Sequence, residues 1–475
     1  MRLERWLGWA VWSAVAAGAA LFLLNTADLI WKDLPGDYVE GVVLAAHQTV
    51  ASGGSAFDRA AWTTEPYRIN LYGPVHYQLG AWALRLSGRS GSLVPGRVLS
   101  LLALALAMAA LWRLVRKGLR LPAPASWFGL LLPLGYLPVL VFAPQNRVDT
   151  FAVAASLWGL ASLAEGRRWS PLLAGAFFVL AVFTKPTAIA APAAALIWLL
   201  SRREWRGAAA LSATCGLLGG AWLVALNLAT HGGFLAATAF NGAYPFAIGG
   251  FVKAVQLALA AAPFPILAGL AVASLVSRDD VERLVAGYFL LALFLALATV
   301  GKVGANLNYF IEPGLALAPL AALAWHRHGR TLAGASVAVA AMASLLLVTA
   351  PRVAWERRGR IERATVEETL RPILAGKRVL TMEVVSVLRA KGIPVVNDPC
   401  IFAFLPRSGK WDEAALLGDL RDGRVDLVLA DADLARPDPV FSNWSPAVRR
   451  EVTRSWHLSR VLSNLYLYEP QARPR

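Results

Sequence analysis

The chain has 475 residues, of which 57% are hydrophobic and only 16% charged, with a net charge of +16. Soluble globular domains carry about 25% charged residues, so this composition excludes an ordinary water-soluble fold and points to an integral membrane protein. The basic excess does not imply a nucleic-acid partner, because the arginines cluster at the ends of apolar blocks.

About 20 helical residues cross a hydrocarbon core about 30 Å thick. The blocks predicted to do so are 6–24, 94–112, 124–143, 150–164, 170–184, 186–201, 207–229, 254–276, 284–300, 308–325 and 331–349, eleven in all. The first follows a basic start, as a signal peptide does. Its length, and the lack of a small-residue cleavage site before Asp28, predict a retained span.

GDYVEG, residues 36–41, comes next, and Asp37 and Glu40 have the spacing of a capping box for the helix that VEGVVLAAHQ predicts. LYGPVHYQLGAWALRLSG, residues 71–88, is apolar but contains Pro74 and Arg85, and counting it as a span would reverse the side of every later basic loop. Val75, Leu79, Trp82 and Leu86 instead form one helical stripe, which predicts a helix lying in the membrane interface.

With that assignment, Arg2 and Arg5 share a side with Arg113, Arg116, Lys117 and Arg120, with Arg167 and Arg168, and with Arg202, Arg203 and Arg206. Arg278, Arg283, Arg327 and Arg330 join them. The positive-inside bias makes this side cytoplasmic. Residues 25–92 then form an outer loop with interfacial helices, and the tail is extracytoplasmic.

The expected fold is an all-α polytopic bundle over residues 1–350, followed by a small soluble α/β domain over 351–475. RVLTM, IPVVN, VDLVLA and NLYLY read as strands of that domain, and WDEAALLGDLRDG reads as a helix. DADLARPDP lacks an EF-hand spacing and reads as a solvated loop. Cys215 and Cys400, the only cysteines, give neither a disulfide framework nor a CxxC metal site.

The orientation rule leaves a set of charges at outer helix ends unexplained: Asp37, Glu40, Arg147, Asp149, Lys185, Lys302 and Glu312. Ionisable groups at membrane depth are costly and commonly mark a site. Each also has a structural reading. Asp37 and Glu40 could only cap a helix, and Arg147 and Asp149 could simply pair. Lys185 and Lys302 could snorkel to headgroups, and Glu312 could bond to Asn308 or to backbone. Taken together, separate segments bring carboxylates suited to accepting a proton and cations suited to phosphate, with Tyr67, Asn70, Tyr72, His76, Asn308 and Tyr309 as sugar- or acceptor-binding groups. That combination suggests sugar transfer from a lipid phosphate.

At these residues the sequence resembles the GT-C superfamily of membrane glycosyltransferases, in particular bacterial protein O-mannosyltransferase-like and aminoarabinose-transferase-like proteins (glycosyltransferase family 39-like). GDYVEG is similar to the acidic first-loop motif, YGPVHY to the Tyr-Pro-Pro-Leu segment, and NRVDT to an Arg-Pro-Asp. FTKPT is similar to a Thr-Lys segment and NLNYFIEP to an Asn-Tyr segment. Gly73 and Val148 depart from the prolines of the pattern, and the acidic pair is separated by two residues. No Trp-Trp-Asp of the oligosaccharyltransferase kind is found.

The resemblance implies that Asp37 is the catalytic base or acceptor orienter, with Asp149 and then Glu40 as further acidic groups. It implies that Arg147, Lys185 and Lys302 bind the donor phosphate. A polyprenyl-phosphate sugar would then pass its sugar, with inversion, to an acceptor hydroxyl on a lipid, glycan or protein. Three cations make a metal less necessary, although some members of the superfamily use a divalent cation such as Mg²⁺ or Mn²⁺. The alternative is a transporter or flippase of lipid-linked sugars, which would also need cations for phosphate.

Overall fold

Runs of Ala, Leu, Val and Phe between turns marked by Gly and Pro form helices throughout the apolar part, as their propensities favour. The computed structural model describes residues 2–436 and 443–471. In chain order come α1 (Arg2–Lys32), α2 (Tyr38–Ala51), α3 (Pro74–Ser87), α4 (Val94–Arg113), α5 (Ala123–Leu131), α6 (Leu137–Phe142), α7 (Asp149–Ala164), α8 (Ser170–Val182) and α9 (Ala190–Ser201). There follow α10 (Trp205–Ala229), α11 (Gly233–Ala239), α12 (Ile248–Leu259), α13 (Pro263–Ser274), α14 (Asp280–Thr299), α15 (Ile311–His328) and α16 (Leu332–Leu374). The tail holds β1 (Arg378–Thr381), α17 (Val384–Arg389), β2 (Ile393–Pro394), α18 (Pro399–Arg407), α19 (Ala414–Arg421), β3 (Leu427–Ala430), α20 (Pro446–Ser455), β4 (Trp456–Leu462) and β5 (Leu465–Pro470).

The architecture is a largely helical polytopic membrane bundle with a small C-terminal sheet, but the expected eleven spans are not reached. Among the described residues six helices are long and apolar enough to cross a membrane, or seven if α12 and α13, bent by 87° at their junction, count as one span. The other four segments yield shorter apolar helices, Ala123–Gly135, Asp149–Ala164, Ser170–Val182 and Ala190–Ser201. Prolines account for much of the shortfall. Pro133 and Pro138 divide 124–143 into α5, a 3₁₀ turn and α6, and Pro186 lies in the break between α8 and α9. With 16 residues, α7 extends only about 24 Å.

The chain divides into two compact units. The first comprises residues up to Lys32, Arg97–Val224 and Phe246–Arg357. Within it α7 packs on α8, α5 on α15, and α9 on α14. Its basic loops tie to one another: Arg113 pairs with Glu165, Arg202 Nε lies 3.3 Å from Asp280, and Arg327 Nη2 lies 2.6 Å from Glu282. The loops expected to share one side of the membrane therefore do gather at one end of this unit.

The second unit comprises Asp33–Gly96, Ala225–Pro245 and the chain from Arg358 onward. The expected boundary at residue 350 falls inside α16, and the tail shares its unit with the first loop. Its sheet has the order β2-β1-β3-β5-β4, parallel at β2/β1 and β1/β3 and antiparallel at β3/β5 and β5/β4. Val379, Leu427, Leu429 and Leu467 pack with Leu370 and Leu374 of α16 beneath it. Four strands lie in the runs expected; β4 is additional. In the loop of DADLARPDP, Asp431 accepts from Trp444 Nε1 at 2.9 Å and Asp433 from the Tyr468 hydroxyl at 3.0 Å, while Pro437 to Pro439 lie outside the described residues.

Candidate functional site

Asp149 opens α7, where the helix dipole favours a carboxylate. Its side chain is gripped from three directions. Lys185 Nζ, in the turn after α8, lies 2.7 Å from Oδ1, and Arg147 Nε lies 3.2 Å from Oδ2. Asn308 Nδ2, from the 3₁₀ turn ahead of α15, donates to Oδ1 at 3.0 Å. Arg147, Asp149 and Asn308 are buried, whereas the Lys185 side chain keeps 17% of its surface accessible. Lys185 Nζ also stands 4.9 Å from the ring centroid of Tyr309, in a cation–π contact.

Two cations face one carboxylate in this cluster, and Lys185 is its more accessible cation. Such a group can grip a phosphate. Asp149 is held here by both cations at once, so the simple Arg147–Asp149 pairing does not describe it fully. Glu312 accepts instead from the Tyr288 hydroxyl at 3.2 Å. Lys302 is half-buried; its backbone bridges to Phe246, and its ammonium makes no hydrogen bond or ion pair among the described residues.

In the second unit Asp37 caps α2, accepting weakly from the Val39 N–H at 3.4 Å. Glu40 is fully buried and its Oε2 accepts from the Gly36 N–H at 2.7 Å. The capping geometry is thus present, with Glu40 reaching the residue before the cap. Asp37 is half-buried. Close to it in this unit are groups that sequence reasoning missed: Tyr38, Tyr244, Asp398 and Cys400. Burial, and then the negative field of Cys400, Asp398, Asp37 and Tyr72, holds the Tyr38 phenol well above its usual pKa. Burial likewise pushes the Asp398 carboxyl up to about 6, with Asp37 adding to the shift. The Tyr244 ring lies 5.8 Å, centroid to centroid, from Phe404 of α18 at a tilt of 56°. Only Tyr38 had a signal in the sequence, its place beside Asp37.

Tyr67, Asn70 and His76 have structural partners in the same unit. The Tyr67 hydroxyl donates to Asp419 at 2.6 Å. Asn70 donates to the Ala56 carbonyl at 2.8 Å and accepts from Asn397 at 3.0 Å. His76 Nδ1 faces His47 Nε2 at 3.2 Å, both rings buried, and burial keeps His47 well below the usual imidazole pKa. Tyr72 is half-buried beside the Asp37 group. Among the described residues no three His, Cys, Asp or Glu side chains gather as a metal site would need.

A family model described as alpha-(1->6)-mannopyranosyltransferase, N-terminal domain, matches residues 23–201. No curated protein matches the chain. Among solved structures, ArnT from Cupriavidus metallidurans bound to undecaprenyl phosphate is 15% identical, covering 98% of this chain and 99% of that one with a TM-score of 0.64. The chain shares the fold of this ArnT. The Archaeoglobus fulgidus oligosaccharyltransferase shares this fold more distantly: in its apo form it is 12% identical, over 98% of this chain and 74% of that one, with a TM-score of 0.56. The archaeal oligosaccharyltransferase AglB from Archaeoglobus fulgidus, in complex with an inhibitory peptide and a dolichol-phosphate, is 11% identical, over 97% and 74%, with a TM-score of 0.57. The likeness in fold to these structures covers 97 to 98% of the chain.

Proposed function

We propose that this chain transfers a sugar from a polyprenyl-phosphate donor to an acceptor hydroxyl at the extracytoplasmic face of the cytoplasmic membrane. The observation that carries this reading is the buried grip of Lys185, Arg147 and Asn308 on Asp149, in a fold whose relative ArnT was solved with undecaprenyl phosphate. Lys185 and Arg147 bind the donor phosphate and stabilise the charge that develops as it leaves. Both Asp149 oxygens are occupied, so its role is to hold these cations in place rather than to take a proton. Lys302 adds a further positive charge for the donor.

Asp37 accepts the proton of the attacking hydroxyl, and direct displacement inverts the anomeric centre. Glu40, sealed against the Gly36 N–H, positions the turn that carries Asp37. Tyr72, Tyr38 and Tyr244 supply hydroxyl and ring surfaces for the acceptor. The basic end of the first unit faces the cytoplasm, and the second unit is extracytoplasmic. A relative, the Archaeoglobus fulgidus oligosaccharyltransferase, was solved with Zn and sulfate; no step here is routed through a metal.

Purified protein in nanodiscs, given labelled polyprenyl-phosphate sugars and a membrane extract as acceptor source, should release polyprenyl phosphate. Asp37→Asn should lower that release by about 10² to 10⁴ while donor binding persists. Wild-type turnover in Asp37→Asn would remove Asp37 from the mechanism. Donor movement across the bilayer without any release would favour the transporter reading.

A further inference from the structure

The second unit contains a cleft of about 640 Å³, within the range of small-molecule sites. The C-terminal ends of α2 and α3 form one wall and β2 with its flanks forms the other, through Leu388, Ile393 and Pro394. Two arginines, Arg68 and Arg85, line it, and no carboxylate does. They are held differently. Arg85 donates to the Ala51 carbonyl at 2.9 Å and the Val50 carbonyl at 3.2 Å, which neutralises the negative end of α2. Half-buried Arg68 spends none of its guanidinium donors on the protein: among the described residues its side chain makes no hydrogen bond or ion pair.

The other polar groups in the cleft are largely committed. Gln48 donates to the Ser90 carbonyl at 2.7 Å, Thr49 to the Ala45 carbonyl at 2.9 Å, and Asn397 to Ile69 and Asn70. No aromatic ring lines the cleft, so it lacks the flat face that grips a neutral sugar. What it offers is two arginines among aliphatic side chains such as Leu84, Leu388 and Ile393. Beside it, α3 turns Trp82, 51% exposed, and Leu86, 90% exposed, away from the protein, as a helix resting on a lipid surface does.

We infer that this cleft is a binding site for a phosphate ester, taken by the free Arg68 guanidinium with Arg85 as the fixed second donor. The phosphate belongs either to an anionic phospholipid headgroup or to a soluble phosphorylated metabolite. Neither arginine is part of the proposed transfer machinery, so binding here is read separately from donor turnover.

Two arms of one experiment test it on the full-length protein. In phosphatidylcholine nanodiscs, glycerol 3-phosphate binding is measured by calorimetry. In nanodiscs of mixed phosphatidylcholine and phosphatidylglycerol, retained phosphatidylglycerol is counted by native mass spectrometry. A charge-assisted hydrogen bond is worth about 1.5 to 3 kcal/mol, so Arg68→Ala should weaken binding by about tenfold or more in whichever arm shows it, and Arg68→Lys should restore part. Arg89→Ala, an equal charge loss at an exposed position outside the cleft lining, should change little. Loss in the first arm identifies a soluble ligand and loss in the second a lipid. Absence of phosphate binding in both arms, or equal weakening by Arg89→Ala, overturns the inference.

Discussion

Asp149 shows how one residue's environment sets its role. A carboxylate with two cations and an amide within hydrogen-bonding distance is a counter-ion, and removing it takes away the carboxylate that Lys185 and Arg147 share. Breaking a buried pair in this way costs about 3 to 5 kcal/mol, so Asp149→Asn should lower the thermal melting temperature in detergent markedly, and Asp37→Asn should not. Asp398 and His47 predict a pH dependence of opposite signs. The Asp398 carboxyl has a folded pKa near 6, above its unfolded value, so the native state binds the extra proton and stability falls as pH rises from about 4 to about 6. His47 has a folded pKa below its unfolded value, so stability falls as pH drops through about 6.5 and the unfolded chain takes up a proton. Asp398→Asn keeps a good helix cap; it should raise stability at pH 7 by on the order of 2 kcal/mol and leave pH 4 unchanged. Equal effects at both pH values would contradict the burial of this carboxyl.

Among the elements, close helix packing rests on glycines whose importance no local pattern reveals. A Cβ on Gly80 of α3 would come within 2.1 Å of the His47 ring on α2. Gly80→Ala should therefore destabilise the second unit by about 1 to 3 kcal/mol, as overpacking does, and the loss should shrink when His47→Ala is added. A Cβ on Gly129 of α5 would meet the Ala318 carbonyl oxygen of α15 at 2.3 Å, a backbone atom that cannot swing aside. The strand expected in IPVVN does more than extend the sheet. Its continuation pairs with the first loop: the Tyr67 N–H donates to the Val395 carbonyl at 2.8 Å, and Asn397 bonds to Ile69 in both directions. Asn397→Ala would strand buried backbone and amide groups, at about 1 to 3 kcal/mol each. Limited proteolysis should then open both residues 52–73 and the tail. Cleavage confined to the tail would mean that the two segments do not depend on each other.

At the scale of the whole molecule, the arginine pattern predicts an arrangement that labelling can check. With Cys215 and Cys400 replaced by alanine, Ser90→Cys should react with an impermeant maleimide on intact cells, and Ser277→Cys only after permeabilisation. The reverse result would invert the proposed orientation. The sequence by itself determined that the chain is a membrane bundle with a small sheet at its end and which loops share an end, because hydropathy and charge act through composition and need no partner residue. It also singled out Asp37, Arg147, Asp149 and Lys185 as candidates, since ionisable groups beside apolar segments are costly. Span count was overestimated, because several apolar blocks make helices of only 12, 13 or 16 residues. Only the tertiary structure decided that Asp149 serves its neighbouring cations, that Tyr67 and Asn70 are bound up in joining loop to tail, and that Tyr38, Tyr244 and Asp398 gather near Asp37. Those outcomes depend on which distant segments meet, and a hydrogen bond or a buried charge acquires its energy only from the partner brought within about 3 Å of it.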